Sequence, residues 1–223
     1  MWSASRLSRV CAHHHVLSEI NPRPTRDKAA ARGNVFHRAL VDWYSFGRPP
    51  LTDDDEINGW IGTLMDNGWT WPDGCELEVA WGLNTWGKFS PVEEKPPESH
   101  TYVALDGETL LTAGRADACW LAGDVLTVVD WKTGRTQAPQ ARINLQVNAA
   151  GIALAQKWKA RAYVPCIYYA REGRWDVGDE TELPGECHGI LADIEAAARL
   201  DDQPHPGPHC SDCWERRNCS EAA

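Results

Sequence analysis

The feature that most constrains the fold is a pair of β-rich runs that flank Gly123-Asp124. A Gly-Asp pair between two such runs is typical of the loop of a β-hairpin. With these two residues as the loop, Asp117 falls directly opposite Asp130, and the Cβ atoms of such a pair lie about 4.5–5.5 Å apart. The second run, residues 125–131, is apolar on both faces, as a buried strand is. The sequence therefore predicts two carboxylates side by side in a buried sheet.

Two carboxylates in such a setting require a compensating cation or a shared proton, because like charges directly opposite each other destabilise a sheet. Lys132 lies two residues past Asp130 and therefore projects from the same face of the strand. One interpretation is a structural ion pair, in which Lys132 or Arg115 neutralises Asp130 or Asp117. The other is a divalent-metal site with an adjacent lysine. Because a shift of one residue in register would separate the carboxylates, both interpretations stay open.

The rest of the chain alternates helical and strand patterns, which predicts an α/β protein. Residues 84–99 are rich in Gly, Pro and Glu and are expected to form a loop. No linker divides the chain, so residues 1–223 are expected to form a single domain. The expected helices lie at about 25–46, within 51–72, at 139–158 and at 185–200, and the expected strands at 76–83, 101–105, 110–120, 125–132 and 161–170.

The sequence contains no run of apolar residues long enough to cross a membrane. Its first residues also lack the apolar core of a secretory signal. We therefore expect a cytoplasmic protein with no membrane partner.

The formal net charge of −10 disfavours nucleic-acid binding, but the charge is distributed unevenly. Residues 1–48 contain eight Lys and Arg against three Asp and Glu, and residues 131–175 contain eight against one. Two such segments can form a local phosphate-binding surface. The alternative is that they are two solvated helix faces.

The order of the motifs resembles that of the PD-(D/E)XK nuclease superfamily. Its core motif is matched by Gly114-x-x-Asp117 followed by Val-Val-Asp130-Trp-Lys132-Thr-Gly. More narrowly, the chain is similar to the RecB-like branch, which includes the CRISPR adaptation nuclease and related phage exonucleases. The resemblance covers nearly the whole chain.

Other elements of that branch are matched in the same order along the chain. His37 corresponds to a metal-binding histidine on a helix, and Glu78 to a glutamate in a strand. Gln146 corresponds to the glutamine of a Gln-x-x-x-Tyr helix, in which Ala150 stands where the motif has tyrosine. Gly33 lies one turn before His37, on the same helix face, where a glycine lets the helix approach the sheet closely.

The resemblance implies a restriction-endonuclease-like core, in which helices flank a central mixed sheet, and a divalent-metal-dependent DNA exonuclease that acts on single strands or DNA ends. Mg²⁺ or Mn²⁺ would be held by His37, Asp117, Asp130 and the carbonyl of Trp131, and oxygen-rich ligand sets suit these ions. Lys132 would orient the attacking water or neutralise developing negative charge.

The implied partners are DNA and a helicase or a recombination or integration protein, because the chain has no motor motif of its own. The alternative function is a nuclease-like module with weak or no catalytic activity. Such a module would bind DNA ends together with a helicase or integrase, and Ala150 in the tyrosine position supports it.

Three cysteines near the end of the chain have the spacing of metal ligands: Cys210, Cys213 and Cys219. Such a set requires a fourth ligand, for which Cys11 is the candidate. By ligand type, Zn²⁺ and an iron–sulfur cluster fit equally well. The resemblance favours a [4Fe–4S] cluster, which would join residues 1–20 to residues 201–223 as a metal clasp.

The sequence contains twelve tryptophans, most of which are expected in the core. Trp131 and Trp86 are candidates for stacking on an unpaired base, as aromatic residues do in single-strand binders.

Overall fold

The computed structural model describes residues 2–3, 26–95, 101–134, 140–185 and 187–199. Their architecture is α/β, with a mixed central sheet flanked by helices, as expected. The helices are α1 (Arg26–Phe46), α2 (Asp55–Asp66), α3 (Leu145–Trp158) and α4 (Cys187–Arg199). The strands are β1 (Trp2–Ser3), β2 (Glu76–Asn84), β3 (Phe89–Ser90), β4 (Val92–Glu94), β5 (Tyr102–Ala104), β6 (Leu110–Ala122), β7 (Val125–Lys132), β8 (Ala162–Tyr169), β9 (Arg174–Val177) and β10 (Thr181–Glu182).

The main sheet has the order β10-β8-β7-β6-β2-β3, with β1 pairing with β6 and β9 pairing with β8. Strands β6 and β7 form the predicted hairpin, and the predicted register is confirmed, because Ala118 pairs with Val129 and Ala122 with Val125. Gly123 in the loop has a φ of +67°, which suits glycine.

Strand β7 runs parallel to β8, and helix α3 connects the two. This helix begins beside the carboxyl end of β7. Its N-cap is Asn144, whose buried side chain accepts hydrogen bonds from the amide groups of Gln146 and Val147. The connection therefore places the first turn of α3 against the last residues of β7, which is where ligands bind in sheets of this kind.

Each face of the sheet carries its own apolar core. Helices α1 and α2 cover one face, where Phe36 and Ile57 are completely buried. Helices α3 and α4 cover the other face, where Ile152 and Ile194 are completely buried. The apolar periodicity of α1 and α2 in the sequence agrees with these buried sides.

The expectation of a plain loop at 84–99 is wrong, because β3 and β4 lie within it. Strands β1, β9 and β10 were also not predicted. All five strands have two to four residues, which leaves little of an alternating pattern to recognise. None of the described helices is long and apolar enough to cross a membrane. The cysteines of the expected clasp lie outside the described residues.

Candidate active site at the end of strand β7

The two predicted carboxylates lie where β6 and β7 diverge. The ladder between these strands ends at Ala118 and Val129, one position before Asp117 and Asp130. Beyond that point, the amide group of Trp131 donates to Oδ2 of Asp117 over 2.6 Å. The Asp117 side chain thus takes the place of a backbone acceptor, which fixes its orientation.

Asp130 belongs to a network of three side chains. Its Oδ2 lies 2.7 Å from Nζ of Lys132. Gln146, in the first turn of α3, donates from Nε2 to Oδ1 of Asp130 over 3.2 Å and accepts from Nζ of Lys132 over 3.0 Å. Each member therefore holds the other two, and the position of Lys132 is set by both β7 and α3.

His37 approaches the same carboxylates from helix α1. Its Nδ1 lies 3.4 Å from Oδ1 of Asp117 and 3.9 Å from Oε1 of Glu78, and its Nε2 lies 3.1 Å from the carbonyl oxygen of Trp131. A Cβ atom on Gly33 would lie 3.1 Å from Oγ1 of Thr133, so α1 does pass close to the chain that follows β7, as expected.

Glu78 lies opposite Asp117 on the neighbouring strand β2 and has a φ of 53°, in the left-handed region. Its Oε2 accepts from Nη1 of Arg115 over 3.2 Å, and Nη2 of Arg115 donates to Glu94 over 2.7 Å. Arg115 therefore pairs with Glu78 and Glu94, and not with Asp117 or Asp130 as one interpretation of the sequence had it. Its position two residues before Asp117 was the signal that it faces the site.

The charges of the site shift the pKa values of its members in different directions. Burial lowers the pKa of His37, but Asp117 and Glu78 outweigh it, and the net pKa lies well above its usual value. Burial raises the pKa of Asp117, but its contacts with His37 and with the amide group of Trp131 lower it below the usual range. The carboxylate of Asp117 is therefore strongly favoured in its ionised form.

Asp130 and Lys132 are shifted by their mutual contact and by burial. Burial raises the pKa of Asp130 above its usual range, and the charge of Asp117 adds to this rise, although Lys132 opposes it. Burial lowers the pKa of Lys132, but Asp130 and Asp117 raise it above its usual value overall. Lys132 is therefore a fixed positive charge beside two carboxylates.

His37, Glu78 and Asp117 can offer one ligand atom each, and these atoms all lie within 4.8 Å of one another. Asp130 lies beside this group but is engaged with Lys132, and the carbonyl of Trp131 faces His37. The structure thus contains the ion pair of Asp130 with Lys132 and, beside it, a cluster of metal-ligand type. This cluster includes Glu78, whereas the set of metal ligands predicted from the sequence had Asp130 and the carbonyl of Trp131 with His37 and Asp117.

The remaining predicted residues have different surroundings. Ala150 is 3% exposed in the core between α3 and the sheet. Trp131 is only 4% exposed, with its ring against Trp69 and Tyr168, so it is not available to stack on a base. Trp86 is 78% exposed.

Comparison with known proteins gives one family. A family model described as the PD-(D/E)XK nuclease superfamily matches residues 1–220. A solved structure described as "Crystal structure of SSO0001" is similar over 100% of this chain and 86% of its own, with 14% sequence identity and a TM-score of 0.48. No curated protein matches the chain in sequence.

Proposed function

The chain belongs to the PD-(D/E)XK nuclease superfamily, whose members are generally metal-dependent nucleases, and from this membership we propose that it is a DNA exonuclease that hydrolyses phosphodiester bonds on single strands or DNA ends. The observation that carries the proposal is the convergence of Asp117, Asp130, Lys132 and His37 at the carboxyl end of β7. An ion pair that served only stability would not require the histidine and Glu78 beside it.

The side chains present fit Mg²⁺ or Mn²⁺, the ions that the superfamily uses. His37, Glu78 and Asp117 provide one nitrogen and two carboxylate groups close together, and hard divalent ions prefer oxygen-rich sets of this kind. Asp130, the fourth candidate, lies next to them. When bound, such an ion would lower the pKa of a water molecule and stabilise charge on the phosphate oxygens.

Lys132 and Asp117 have different roles in the proposed reaction. Lys132 carries a positive charge that Asp130 and Gln146 hold in one place, so it can orient the attacking water or stabilise the charge that develops on the phosphate. Asp117 is kept ionised by the amide group of Trp131 and by protonated His37, which keeps it ready to act as a ligand. His37 would itself have to release its proton to bind the ion. A preorganised arrangement costs little reorganisation during the reaction.

We assign the chain to the RecB-like branch, with residues 1–223 as a single domain. In this assignment Cys11, Cys210, Cys213 and Cys219 bind a [4Fe–4S] cluster that joins residues 1–20 to residues 201–223, and Zn²⁺ is the alternative occupant. The ordered motifs of the sequence support this assignment. Anaerobic purification followed by iron and zinc analysis and visible absorbance distinguishes the two metals.

A second candidate function is a DNA-end-binding module with weak or no catalytic activity that acts with a helicase or an integrase. The observation in its favour is Ala150, which stands in the tyrosine position of the motif and is buried in the core. The other motif residues, His37, Asp117, Asp130, Lys132 and Gln146, are present in the sequence.

The first test is digestion of end-labelled single- and double-stranded DNA with Mg²⁺ or Mn²⁺. We expect Lys132→Ala to lower the rate by about a hundredfold or more. Lys95→Ala is the matched control, since Lys95 is exposed and pairs only with Glu93 among the described residues. If native protein with an intact cluster does not cut either substrate, the binding module replaces the exonuclease as the function.

A further inference from the structure

Trp86 is presented to solvent by a rigid turn between β2 and β3. Its backbone amide group and that of Lys88 both donate to Oδ1 of Asn84, over 3.0 and 2.9 Å. The side chain of Gln156, on α3, donates to the carbonyl oxygen of Gly87 over 2.9 Å. No other tryptophan among the described residues is exposed. The backbone that carries the ring is therefore fixed and does not need to be ordered when a ligand binds.

A cavity of about 530 Å³ lies beside this ring, between the turn, the end of α3 and helix α4. We call it the Trp86 pocket. Its lining includes the apolar residues Leu183 and Leu191 and the basic residues Lys88 and Lys159. Glu195 is the one carboxylate that lines it among the described residues. An aromatic wall with apolar and cationic neighbours suits a ligand that has both a flat ring and negative charge.

The ion pairs of the structure show which charges of the basic segment 131–175 are free to meet phosphate. Arg161, Arg171 and Arg174 are each paired with carboxylates. Within the described part of the chain, neither Lys88 nor Lys159 forms an ion pair. Among the described residues Lys157, whose amine lies 5.5 Å from the centre of the Trp158 ring, also forms no ion pair. The unpaired positive charge near this end of the segment therefore belongs to Lys157 and Lys159, and Lys159 lies with Lys88 at the Trp86 pocket.

The Trp86 pocket is separate from the candidate active site. Gln146 and Lys159 stand at opposite ends of α3, which at about 1.5 Å per residue places them about 20 Å apart. A ligand in the pocket thus does not touch Asp117, Asp130 or their neighbours.

We propose that the Trp86 pocket binds an unpaired nucleotide of single-stranded nucleic acid, whose base stacks on Trp86 and whose phosphates contact Lys88 and Lys159. Stacking on an aromatic ring tolerates any base, because every base has a π-face, and amines track the backbone without reading the sequence. The proposal rests on the proposed function only for the class of substrate. The pocket would hold a strand at a second point, away from the reacting phosphate.

The experiment measures binding without cleavage, by fluorescence anisotropy of a labelled thymidylate dodecamer with the full chain in EDTA. We expect Trp86→Ala to weaken binding roughly tenfold and Trp86→Phe to keep most of it. Phe46→Ala, which removes an equally exposed aromatic ring elsewhere, is expected to have no effect. The Lys88→Ala, Lys159→Ala double variant is expected to flatten the salt dependence by roughly 1.4 in the logarithmic slope.

Unchanged affinity in Trp86→Ala overturns the proposal, and so does the absence of any single-strand binding by the native protein. Preference of the native protein for duplex alone also overturns it. Failure of the proposed function gives a different result, namely native protein that binds the dodecamer but does not cut it with Mn²⁺. A thermal unfolding scan of each variant checks that the fold is retained.

Discussion

Glu78 occupies a backbone conformation that a glutamate in a strand rarely adopts. Its φ of 53° lies in the left-handed region, which costs a non-glycine residue about 1–3 kcal/mol. The neighbouring pairs, Leu77 with Ala118 and Val79 with Ala116, keep the register of β2 and β6, so the strain is confined to this residue. In return, one carboxylate oxygen is held by Arg115 while the other lies 3.9 Å from Nδ1 of His37. We infer that the strain orients Glu78 towards the proposed metal site.

Glu78→Gly is expected to raise the thermal midpoint of the metal-free protein by about 2–4 °C, because glycine adopts a positive φ without strain. The same variant is expected to lose most of the stabilisation that Mn²⁺ gives the native protein, since one of the proposed ligands is gone. Glu78→Gln is the control, because it keeps the strain and removes only the charge. A Glu78→Gly variant that responds to Mn²⁺ like the native protein would exclude Glu78 as a ligand. Differential scanning calorimetry with and without Mn²⁺ measures both effects.

Among the elements, helix α2 supports the site although none of its residues reaches the carboxylates. Its first turn carries Glu56, which pairs with Arg171 and with Arg32 of α1. Arg171 in turn donates to the carbonyl oxygen of Thr133 over 2.8 Å, directly after Lys132. The first turn of α2 therefore connects α1 to the residues that follow β7. The N-cap of α2, Asp54, determines where the helix begins.

The charge of Asp54 should make stability depend on acidity. Burial raises the pKa of Asp54, but hydrogen bonds from Arg32 and from the amide groups at the start of α2 lower it below its usual value. A lowered pKa in the folded state means that the carboxylate stabilises the protein above its ordinary pKa of about 3.9 and loses this effect as the pH falls through the folded value. We expect Asp54→Asn to keep the N-cap at neutral pH and to lose less stability than the native protein as the pH falls, as measured by urea denaturation. Asp54→Ala removes the cap and is expected to lower the free energy of unfolding at both neutral and acidic pH. If Asp54→Asn loses as much stability in acid as the native protein does, other carboxylates cause that loss.

The packing of α3 on β8 depends on the absence of a side chain at Gly151. A Cβ atom there would lie 2.2 Å from Cδ2 of Tyr163, whose hydroxyl group donates to the buried Asn148. Gly151→Ala is therefore expected to lower the free energy of unfolding by about 1–3 kcal/mol. Gly62→Ala, in α2 with open space around it, is expected to raise it by up to about 1 kcal/mol. Urea denaturation measures the free energy of unfolding of both variants. If Gly151→Ala and Gly62→Ala change it by the same amount in the same direction, the close contact between Gly151 and Tyr163 is contradicted.

For the whole molecule, the sequence predicted the long helices and strands and the position of Asp117 beside Asp130. It did not predict the surrounding contacts of Glu78 and Arg115. The turn residues Gly123-Asp124 fixed the register of β6 and β7, and this register alone places Asp117 beside Asp130. The link from Arg115 to Glu94 could not be predicted, because β4 is too short to show a pattern. The left-handed conformation of Glu78 could not be predicted either, since nothing in the residue type favours it.

The metal clasp is the proposal that concerns the molecule as a whole, because it would join two segments separated by nearly the entire chain. Closing so long a loop restricts the unfolded chain strongly, so loss of the clasp should lower stability well beyond the loss of one side chain. Cys213→Ser is expected to abolish visible absorbance from the cluster and to lower the thermal midpoint. Cys75→Ala is the control, since Cys75 is buried beside β2 and should lower the midpoint without loss of absorbance. If Cys213→Ser keeps a full complement of iron or zinc, the cysteines at the end of the chain do not form the clasp.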